Sequence, residues 1–309
     1  MTSSSPLVSI VSVNFNQPEL TRIMLDSLDR MSYPNWELLL VDNGSTKGDI
    51  RPLKTDFPHI KLFINPDNLG FAGGNNLAFP HCKGKYVLML NNDTEVDPAF
   101  LDPLVQYMEE HPEVGVVSPK LFFFDEPEVL QFAGTTRMHP ITLRGSKIGN
   151  GQKDEGQFDQ IRETGFANGA CMLIRKELLD TLGYMYEPFF LYYEEHDLCS
   201  RIERAGYKIM FYPFSRIWHK VSASTGALSP LKTHFLHRNR FVYLRRNRSG
   251  VEKLLAAMYY WFVVTPKELL KYRSAKDHRN AIWRSIRWNL THLRLPSDPV
   301  IPTLEPIEA

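Results

Sequence analysis

The chain contains little cysteine and no long hydrophobic run. Its three cysteines, Cys82, Cys171 and Cys199, are spaced neither as metal ligands nor as a disulfide framework, so we expect a reducing compartment. The apolar stretch 254–264 has 11 residues, whereas a membrane-spanning helix takes about 20. Residues 1–6 lack the basic and apolar segments of a secretory signal, so we expect none.

The chain also lacks a large net charge, but its charge is unevenly distributed. Residues 232–294 contain 15 Lys and Arg against three acids, a net +12, so the rest carries −11 of the total of +1. Three of the five tryptophans lie in this basic part: Trp261, Trp283 and Trp288. Basic helices rich in aromatic residues are typical of membrane-surface helices. Nucleic acid is the rival partner, but no known binding module is present, and helices packed on the core or on a second copy are the other alternative.

The order of apolar segments predicts an α/β fold built on a doubly wound, mostly parallel sheet. Short strands alternate with helices or loops. The predicted strands are 7–15, 36–41, 60–65, 85–90, 114–118 and 170–174. The predicted helices are 18–31, 234–247, 251–264, 266–276 and 279–293. Segment 124–162 has poor periodicity, so we expect a hairpin or a mobile loop there.

Four of the predicted strands are followed by polar residues. These clusters are 14–16, 42–45, 68–76 and 91–93. Because the carboxyl ends of parallel strands share one edge of a sheet, the clusters can form one ligand pocket. The alternative for each cluster taken alone is ordinary turn chemistry, in which Asn, Asp and Gly are common.

The residue types in these clusters suit a nucleotide and its phosphates. A carboxylate at Asp93 with an amide at Asn91 or Asn92 could bind a hard divalent cation. An aspartate that closes a strand, such as Asp42, could accept a hydrogen bond from a base imide. Glycines at 70, 73 and 74 allow close approach of the backbone to a phosphate. The run matches neither the dinucleotide fingerprint nor the P-loop, which disfavours NAD and ATP.

Together these segments resemble the inverting glycosyltransferases of family 2, which have the GT-A fold. The matching segments are VSIVSVNFN (8–16), VDNGS (41–45), NLGFAGGNN (68–76), LNNDT (90–94), GACMLIR (169–175), FLYYEEHDL (190–198) and Trp218-His219. They cover residues 7 to about 245 and are most similar to the bacterial rhamnosyltransferase-like branch. The motifs are specific for family and fold, but they do not identify the sugar.

The resemblance assigns the nucleotide-sugar and metal sites. It implies that Asp42 binds the base, that Asp93, Asn91 and His219 bind Mg²⁺ or Mn²⁺, and that other residues contact the nucleotide-sugar. The latter are Asn14, Asn16, Asn68, Gly70, Gly73, Asn76, Asn92, Gly169 and Arg238. The chain departs from the family's D-x-D motif because the first acid is Asn91, which makes the metal site one charge poorer.

The resemblance places the general base in the acidic cluster at the start of a predicted helix. An inverting transfer needs a carboxylate within reach of the acceptor hydroxyl. Alignment with the family favours Glu195, with Asp197 second and Glu194 also a candidate. The alternative is that these acids complement the dipole of the helix, as we expect for at least one of them.

The resemblance therefore predicts a metal-dependent inverting glycosyltransferase of bacterial surface polysaccharide assembly. The expected donor is a nucleotide-diphospho-sugar, dTDP-rhamnose above others, and the acceptor a glycan or a lipid-diphosphate-linked glycan. We expect a catalytic domain at 1–231, a helical extension at 232–309, no organic cofactor and no nucleic-acid partner. The expected location is cytoplasmic, peripheral at the inner face of the membrane, and the oligomeric state stays open. The alternative is a non-catalytic member that only binds a sugar nucleotide or a partner.

Overall fold

One mixed β-sheet with helices on both faces forms the body of the protein. The computed structural model describes residues 5–220, 229–297 and 304–307. The strands are β1 (Val8–Asn14), β2 (Trp36–Asn43), β3 (Lys61–Asn65), β4 (Tyr86–Leu90), β5 (Thr94–Val96), β6 (Val114–Phe123), β7 (Leu130–Phe132), β8 (Arg162–Glu163), β9 (Cys171–Arg175) and β10 (Lys208–His219). The helices are α1 (Pro18–Leu28), α2 (Arg51–Asp56), α3 (Gly70–Ala78), α4 (Leu101–Glu110), α5 (Lys176–Leu182), α6 (Glu194–Arg204), α7 (Pro230–Asn247), α8 (Gly250–Tyr259), α9 (Thr265–Lys271) and α10 (Lys276–Thr291).

The sheet has the order β3-β2-β1-β4-β9-β6-β10-β5, with β7 beside β6 and β8 beside β10. The first four strands are parallel, as the sequence predicts. Strand β9 runs antiparallel to both β4 and β6, so the sheet is more mixed than expected. Apolar content identifies a strand, but its direction depends on how the chain returns to the sheet, which periodicity does not report.

Both faces of the sheet are covered, which explains why its strands are apolar throughout rather than alternating. Along β1, Ile10 packs into the cluster that contains Met24 of α1, while the next residue, Val11, packs into the cluster that contains Leu198 of α6. All four are fully buried. The sheet is therefore a central layer that fixes where its polar strand ends lie.

Segment 124–162, predicted as a hairpin or a mobile loop, contains a hairpin arm. Strand β7 leads into it, and backbone hydrogen bonds join Ala133 to Ile148 and Thr136 to Ser146. The ends of the arm thereby return to the sheet. The arm brings side chains far from the recognised motifs over the carboxyl edge of the sheet.

The helical C-terminal part packs against the body through a third apolar cluster. Tyr186 and Phe189 meet Val242 and Tyr243 of α7 there. Helices α8 and α9, predicted as separate, are joined by a π-helical stretch, Tyr260–Val264, into one continuous helical segment. The division into domains at 231 and 232 stays a prediction; α7 itself begins at Pro230.

None of the helices in the described ranges is long and apolar enough to cross a membrane.

Candidate active site

The carboxyl edge of β1, β2 and β4 borders a cleft of about 350 Å³. Six of the predicted site residues line it: Asn68, Gly70, Asn91, Asn92, Asp93 and His219. The remaining lining residues are Val13, Phe15, Asn43, Phe71, Gln131, Lys147, Asn168, Phe190, Leu191, Tyr192, Leu231 and Lys232. The prediction that separate strand ends meet in one pocket therefore agrees with the structure.

Asp93 and His219 face each other in this cleft. The His219 Nε2 atom lies 3.1 Å from Asp93 Oδ1 and 3.4 Å from Asn91 Nδ2. The other ring nitrogen, Nδ1, lies 2.9 Å from Gln131 Oε1, an acceptor that places the imidazole proton on Nδ1. The Nε2 lone pair then points toward a carboxylate oxygen, and two acceptors this close are stable only with a proton or a cation between them.

The chemistry of these residues suits a divalent cation. Asp93 Oδ1 is buried and, apart from the contact with His219 Nε2, has no polar partner among the described residues. An imidazole oriented by a neighbouring amide is the usual arrangement of a metal-binding histidine. Over the described ranges, no group of three His, Cys, Asp or Glu side chains is close enough to form a metal cage. The site thus suits a cation that takes its remaining ligands from a phosphate and water.

Asn14 is the centre of a buried hydrogen-bond network beneath the cleft. Its Nδ2 donates to Asp42 Oδ1 at 2.7 Å and to Ser45 Oγ at 3.1 Å. Its Oδ1 accepts from Thr21 Oγ1 at 3.0 Å and from Asn92 Nδ2 at 3.4 Å. Asn14 and Asp42 are buried. The network locks the ends of β1, β2 and β4 to one another, so the predicted base-binding Asp42 has a fixed orientation.

Asn16 shapes the rim rather than the cleft. Its backbone has a φ of +59°, which Asn tolerates better than most residues. Its Oδ1 accepts from Thr46 N at 2.7 Å and from Lys47 N at 2.8 Å. It therefore holds the loop after β2 beside the end of β1.

Gly70 is required by close packing at the start of α3. Its φ is +71°, and a Cβ atom there would lie 2.2 Å from the Phe190 carbonyl oxygen. The Asn68 side chain accepts from Gly70 N at 2.8 Å, and Asn43 Nδ2 donates to Gly70 O at 2.9 Å. The turn is thus fixed with its backbone facing the cleft.

Two predicted nucleotide-sugar residues on α3 lie away from the cleft lining. Asn76 donates to Met185 O at 2.8 Å and accepts from Met185 N at 3.0 Å. A Cβ atom on Gly73 would lie 2.6 Å from the Leu69 side chain, so that glycine serves packing. Both residues anchor the helix.

The acidic cluster at the start of α6 separates into carboxylates with different environments. Glu194 is buried, and its burial and the neighbouring Glu195 hold its pKa well above the ordinary value. Burial alone would raise the pKa of Glu195, but the adjacent His196 outweighs burial and that pKa is lowered. Glu195 is therefore the more acidic of the two carboxyls, which suits the role of a general base.

Glu195 lies beside the wall of the cleft. A Cβ atom on the predicted site residue Gly169 would lie 3.9 Å from Glu195 Cδ and 3.4 Å from the Phe71 ring. Phe71 and Asn168, the neighbour of Gly169, line the cleft. A Cβ atom at 169 would make ordinary van der Waals contacts with both Glu195 and Phe71, so position 169 adjoins the glutamate and this wall.

Asp197, the second candidate for the base, is occupied by ion pairs in the structure. It is fully buried, and its oxygens accept from Arg246 Nε at 2.9 Å, Asn247 Nδ2 at 2.7 Å and Arg201 Nε at 3.1 Å. Burial alone would raise its pKa, but the hydrogen bond and charge of Arg246 outweigh burial and lower it. This placement corrects the prediction: Asp197 ties α6 to α7 and does not reach the cleft.

Arg238 also lies outside the cleft lining. Its Nη2 donates to the carbonyls of Pro188 at 2.6 Å and Phe189 at 2.8 Å, and its Nε to Asn239 Oδ1 at 2.8 Å. Burial lowers its pKa to about 10. The structure therefore places this predicted nucleotide-sugar ligand beneath the segment that precedes α6.

Sequence reasoning missed four polar residues of the cleft. Gln131 and Lys147 come from the segment with no recognised motif, Lys232 from the start of α7, and Asn168 from the turn before β9. No periodicity or motif marks the first two, because the hairpin arm alone brings them there. The asparagine beside Gly169 could have been found from the resemblance.

Comparisons with known proteins place this geometry in a family. Residues 9–183 match the model of "Glycosyl transferase family 2". The chain is 32% identical over 235 residues to the O-antigen biosynthesis protein RfbC of Myxococcus xanthus, covering 72% of this chain and 18% of that protein. It is 24% identical over 270 residues to the N-acetylglucosaminyl-diphospho-decaprenol L-rhamnosyltransferase of Mycobacterium tuberculosis, covering 79% and 86%.

Solved structures share the fold. The mannosyltransferase PcManGT of Pyrobaculum calidifontis, in complex with GDP-Man and Mn²⁺, superposes with a TM-score of 0.58 at 18% identity, covering 94% of this chain and 77% of that one. GalNAc-T7 with UDP, GalNAc and Mn²⁺ gives a TM-score of 0.61 at 17% identity, covering 96% and 60%.

Coverage of the relatives is uneven. The chain spans 27% of an uncharacterised protein of Sinorhizobium fredii and 18% of the Myxococcus protein, so it matches only a part of each. The family model nevertheless covers more than half of the chain, including the ends of β1, β2 and β4 and the Asp93 site. This chain belongs to glycosyl transferase family 2.

Proposed function

We propose that the protein is an inverting glycosyltransferase that uses a nucleotide-diphospho-sugar and a divalent cation. The observation that carries the proposal is the Asp93–His219 contact, whose buried carboxylate oxygen has no other polar partner among the described residues, in a cleft whose wall adjoins Glu195. A cation site and a general base at one cleft are what a single displacement at a sugar carbon requires.

Side chains of this protein can supply the groups that a single displacement needs. Glu195 accepts the proton of the acceptor hydroxyl, whose oxygen forms a bond to the anomeric carbon as the bond to the diphosphate oxygen breaks. The nucleoside diphosphate leaves on the opposite face, and the configuration inverts. Asp93, His219 and Asn91 would hold Mg²⁺ or Mn²⁺, which when bound neutralises charge on the diphosphate. Lys147 and Lys232 add positive charge to the cleft.

For the donor we propose dTDP-rhamnose, and for the acceptor a glycan or a lipid-diphosphate-linked glycan in bacterial surface polysaccharide assembly. The support is the likeness to a relative named as an L-rhamnosyltransferase, over most of both chains. The buried Asn14–Asp42 pair supports recognition of a base by its imide. The proposed nucleotide-sugar contacts are those residues that line the cleft together with Asp42.

The rival is a member of the family that binds a sugar nucleotide without transferring the sugar. The asparagine at position 91, where the family motif has an acid, is compatible with such a non-catalytic member. The acidic pair Glu194 and Glu195 beside the wall of the cleft favours a catalytic member, because a protein that only binds a sugar nucleotide needs no general base there.

The first experiment is a thermal-shift panel of sugar nucleotides and free nucleoside diphosphates, each with and without Mn²⁺. Stabilisation by dTDP-rhamnose or dTDP that increases with Mn²⁺, followed by release of dTDP in the presence of a lipid-diphosphate-linked glycan, supports the proposal. Binding without any release favours the non-catalytic member. A flat panel contradicts the donor site itself.

We also propose that the helical extension lies on an anionic membrane surface, at the cytoplasmic face. One side of the continuous α8–α9 segment exposes large apolar residues at helical spacing: Val251, Leu254, Leu255, Met258, Phe262 and Leu270. Val251 and Phe262 are 72% and 78% exposed. An exposed apolar stripe of this length on a helix marks an interaction surface.

The positive charge around this apolar stripe favours an anionic membrane surface as its partner. Exposed cations accompany it on α9, α10 and the turns beside them: Lys267, Lys271, Arg273, Lys276, Arg284 and Arg287. Each cation near an anionic surface contributes roughly 1 kcal/mol. Of the three tryptophans named from the sequence, Trp283 is 55% exposed, whereas Trp288 stacks on His292.

Flotation with vesicles of phosphatidylglycerol and phosphatidylcholine tests this location. Wild type and the control F214E, which changes an exposed phenylalanine on β10, should float with anionic vesicles, and L254E/F262E should not. Equal flotation of both variants contradicts the surface. A dimer that dissociates in L254E/F262E, without vesicle binding by wild type, identifies the stripe as a subunit interface instead.

A further inference from the structure

The segment that enters α6 has an unusual backbone. Phe190, Tyr192 and Tyr193 have φ values of +63°, +69° and +78°. Such left-handed conformations are rare for bulky side chains and persist only where the surroundings impose them. Phe190 and Tyr192 line the cleft, and Tyr193 directly precedes Glu194 and Glu195.

Asn239 of α7 supplies the constraint on this segment. Its Nδ2 lies 2.9 Å from Phe189 O, 2.8 Å from Leu191 O and 2.8 Å from Tyr192 O. The side chain is fully buried. Arg238 Nε donates to Asn239 Oδ1, which leaves the amino end of the amide facing the three carbonyls.

The carbonyls of Phe190 and Tyr193 accept hydrogen bonds from α3 and α6. Phe190 O accepts from Phe71 N at 2.7 Å, and Tyr193 O accepts from Asp197 N at 2.9 Å. The segment is therefore hydrogen-bonded on one side to the glycine turn of the cleft and continues on the other into the acidic helix. A change in its backbone would move the cleft wall and the glutamates together.

We propose that Asn239 is a positioning residue: its amide holds the 189–192 backbone, in which Phe190 and Tyr192 have positive φ, and thereby sets the cleft wall and places Glu195. The catalytic consequence rests on the proposed function; the conformational one does not. Neither of the two test substitutions reproduces the contact. Aspartate has the same shape but no hydrogen to donate, and its charge would face three carbonyl oxygens. Alanine removes the amide donor from all three carbonyls in a buried site, although Phe189 O keeps the hydrogen bond from Arg238 Nη2.

A buried asparagine could also serve stability alone, so the test needs a matched control. Asn289 on α10 is equally buried, accepts from Arg245 Nη2 at 3.0 Å and has no hydrogen bond to 189–192 in the described part of the chain. N239A, N239D and N289A are compared by hydrogen–deuterium exchange of peptides covering 186–198. Turnover of dTDP-rhamnose with Mn²⁺ is followed in parallel across pH.

The expected result is selective loss of protection in 186–198 for N239A and N239D, while N289A keeps the wild-type pattern there. Turnover per enzyme should fall on the order of 10²-fold with the KM for dTDP-rhamnose changed far less, as expected when a catalytic group is misplaced. The acid limb of the pH profile should shift in the Asn239 variants and not in N289A.

Wild-type exchange in 186–198 for N239A and N239D overturns the proposal, as does an equal effect of N289A. If N239A fails to fold, the exchange pattern of N239D still tests the proposal, because aspartate has nearly the same volume as asparagine. If the wild type itself turns over no dTDP-rhamnose, that contradicts the proposed donor, and the exchange comparison alone still decides the role of Asn239.

Discussion

His219 presents its Nε2 atom to the Asp93 carboxylate at 3.1 Å while Gln131 holds its other nitrogen at 2.9 Å. Strand β4 ends just before Asp93, β10 ends at His219, and β7 carries Gln131. Three strands distant in sequence thus converge on one carboxylate oxygen that, apart from the His219 contact, has no polar partner among the described residues. Substitutions near this oxygen can therefore test metal binding separately from the stability of the fold.

Replacement of Gln131 by leucine should weaken the effect of Mn²⁺ without removing a ligand. Loss of the acceptor frees the imidazole to change tautomer, which typically costs about 10–100-fold in metal affinity. A titration of Mn²⁺ against the thermal stabilisation by dTDP measures this. The control Q106L changes a glutamine on the exposed face of α4 and should titrate like wild type; a matching shift in Q106L would argue against the role of Gln131.

Glu195→Gln should abolish transfer and leave donor binding intact. A general base contributes about 10²–10⁴-fold to a rate, and the amide keeps the shape of the side chain. Initial rates together with the dTDP-dependent shift in Tm measure the two effects. Retained turnover would remove Glu195 as the base, and loss of the dTDP shift would mean that the substitution disturbs the cleft.

Asp197→Ala should destabilise the fold, because Arg201 and Arg246 lose a shared buried carboxylate. Removing one partner of a buried ion pair costs about 3–5 kcal/mol. The lowered pKa of Asp197 means that its contribution is present above the ordinary carboxyl pKa and is lost as pH falls through the folded value. Urea unfolding of wild type and variant at neutral and acidic pH should therefore converge at acidic pH. A constant difference would contradict this linkage.

Glu194→Gln should make stability less dependent on pH. The pKa of Glu194 is raised in the folded protein, mainly by burial and then by Glu195. Its carboxyl stays protonated in the folded protein while the unfolded chain ionises, so wild-type stability falls as pH rises from the ordinary carboxyl pKa toward the folded one. Over that window the stability of E194Q relative to wild type should increase. Parallel curves of free energy of unfolding against pH would show that the folded pKa is not raised.

The fold and part of the site could be predicted from the sequence because they depend on local patterns. The apolar runs that became β1, β2, β3 and β4 are each followed by polar residues, and parallel strands bring such ends to one edge. Asn14, Asn68, Asn92 and Asp93 therefore lie where the pattern places them.

Other residues were misassigned because the same residue type serves different roles in different surroundings. Asp197 and Glu195 lie two positions apart on one helix, yet one faces Arg246 and the other the cleft wall. Arg238 follows the recognised motifs but bonds backbone carbonyls. No sequence pattern reports the direction in which a side chain points once helices pack.

By itself the sequence determined the family, the α/β class and the strand ends that carry polar ligands, because hydrophobic period and turn chemistry are local properties. Only the tertiary structure decided that Gln131 orients His219, that Glu194 and Glu195 have opposite pKa shifts, and that Asn239 fixes the backbone before α6. These relationships join residues far apart in the chain or depend on burial, and both arise when the sheet, the hairpin arm and the C-terminal helices pack together.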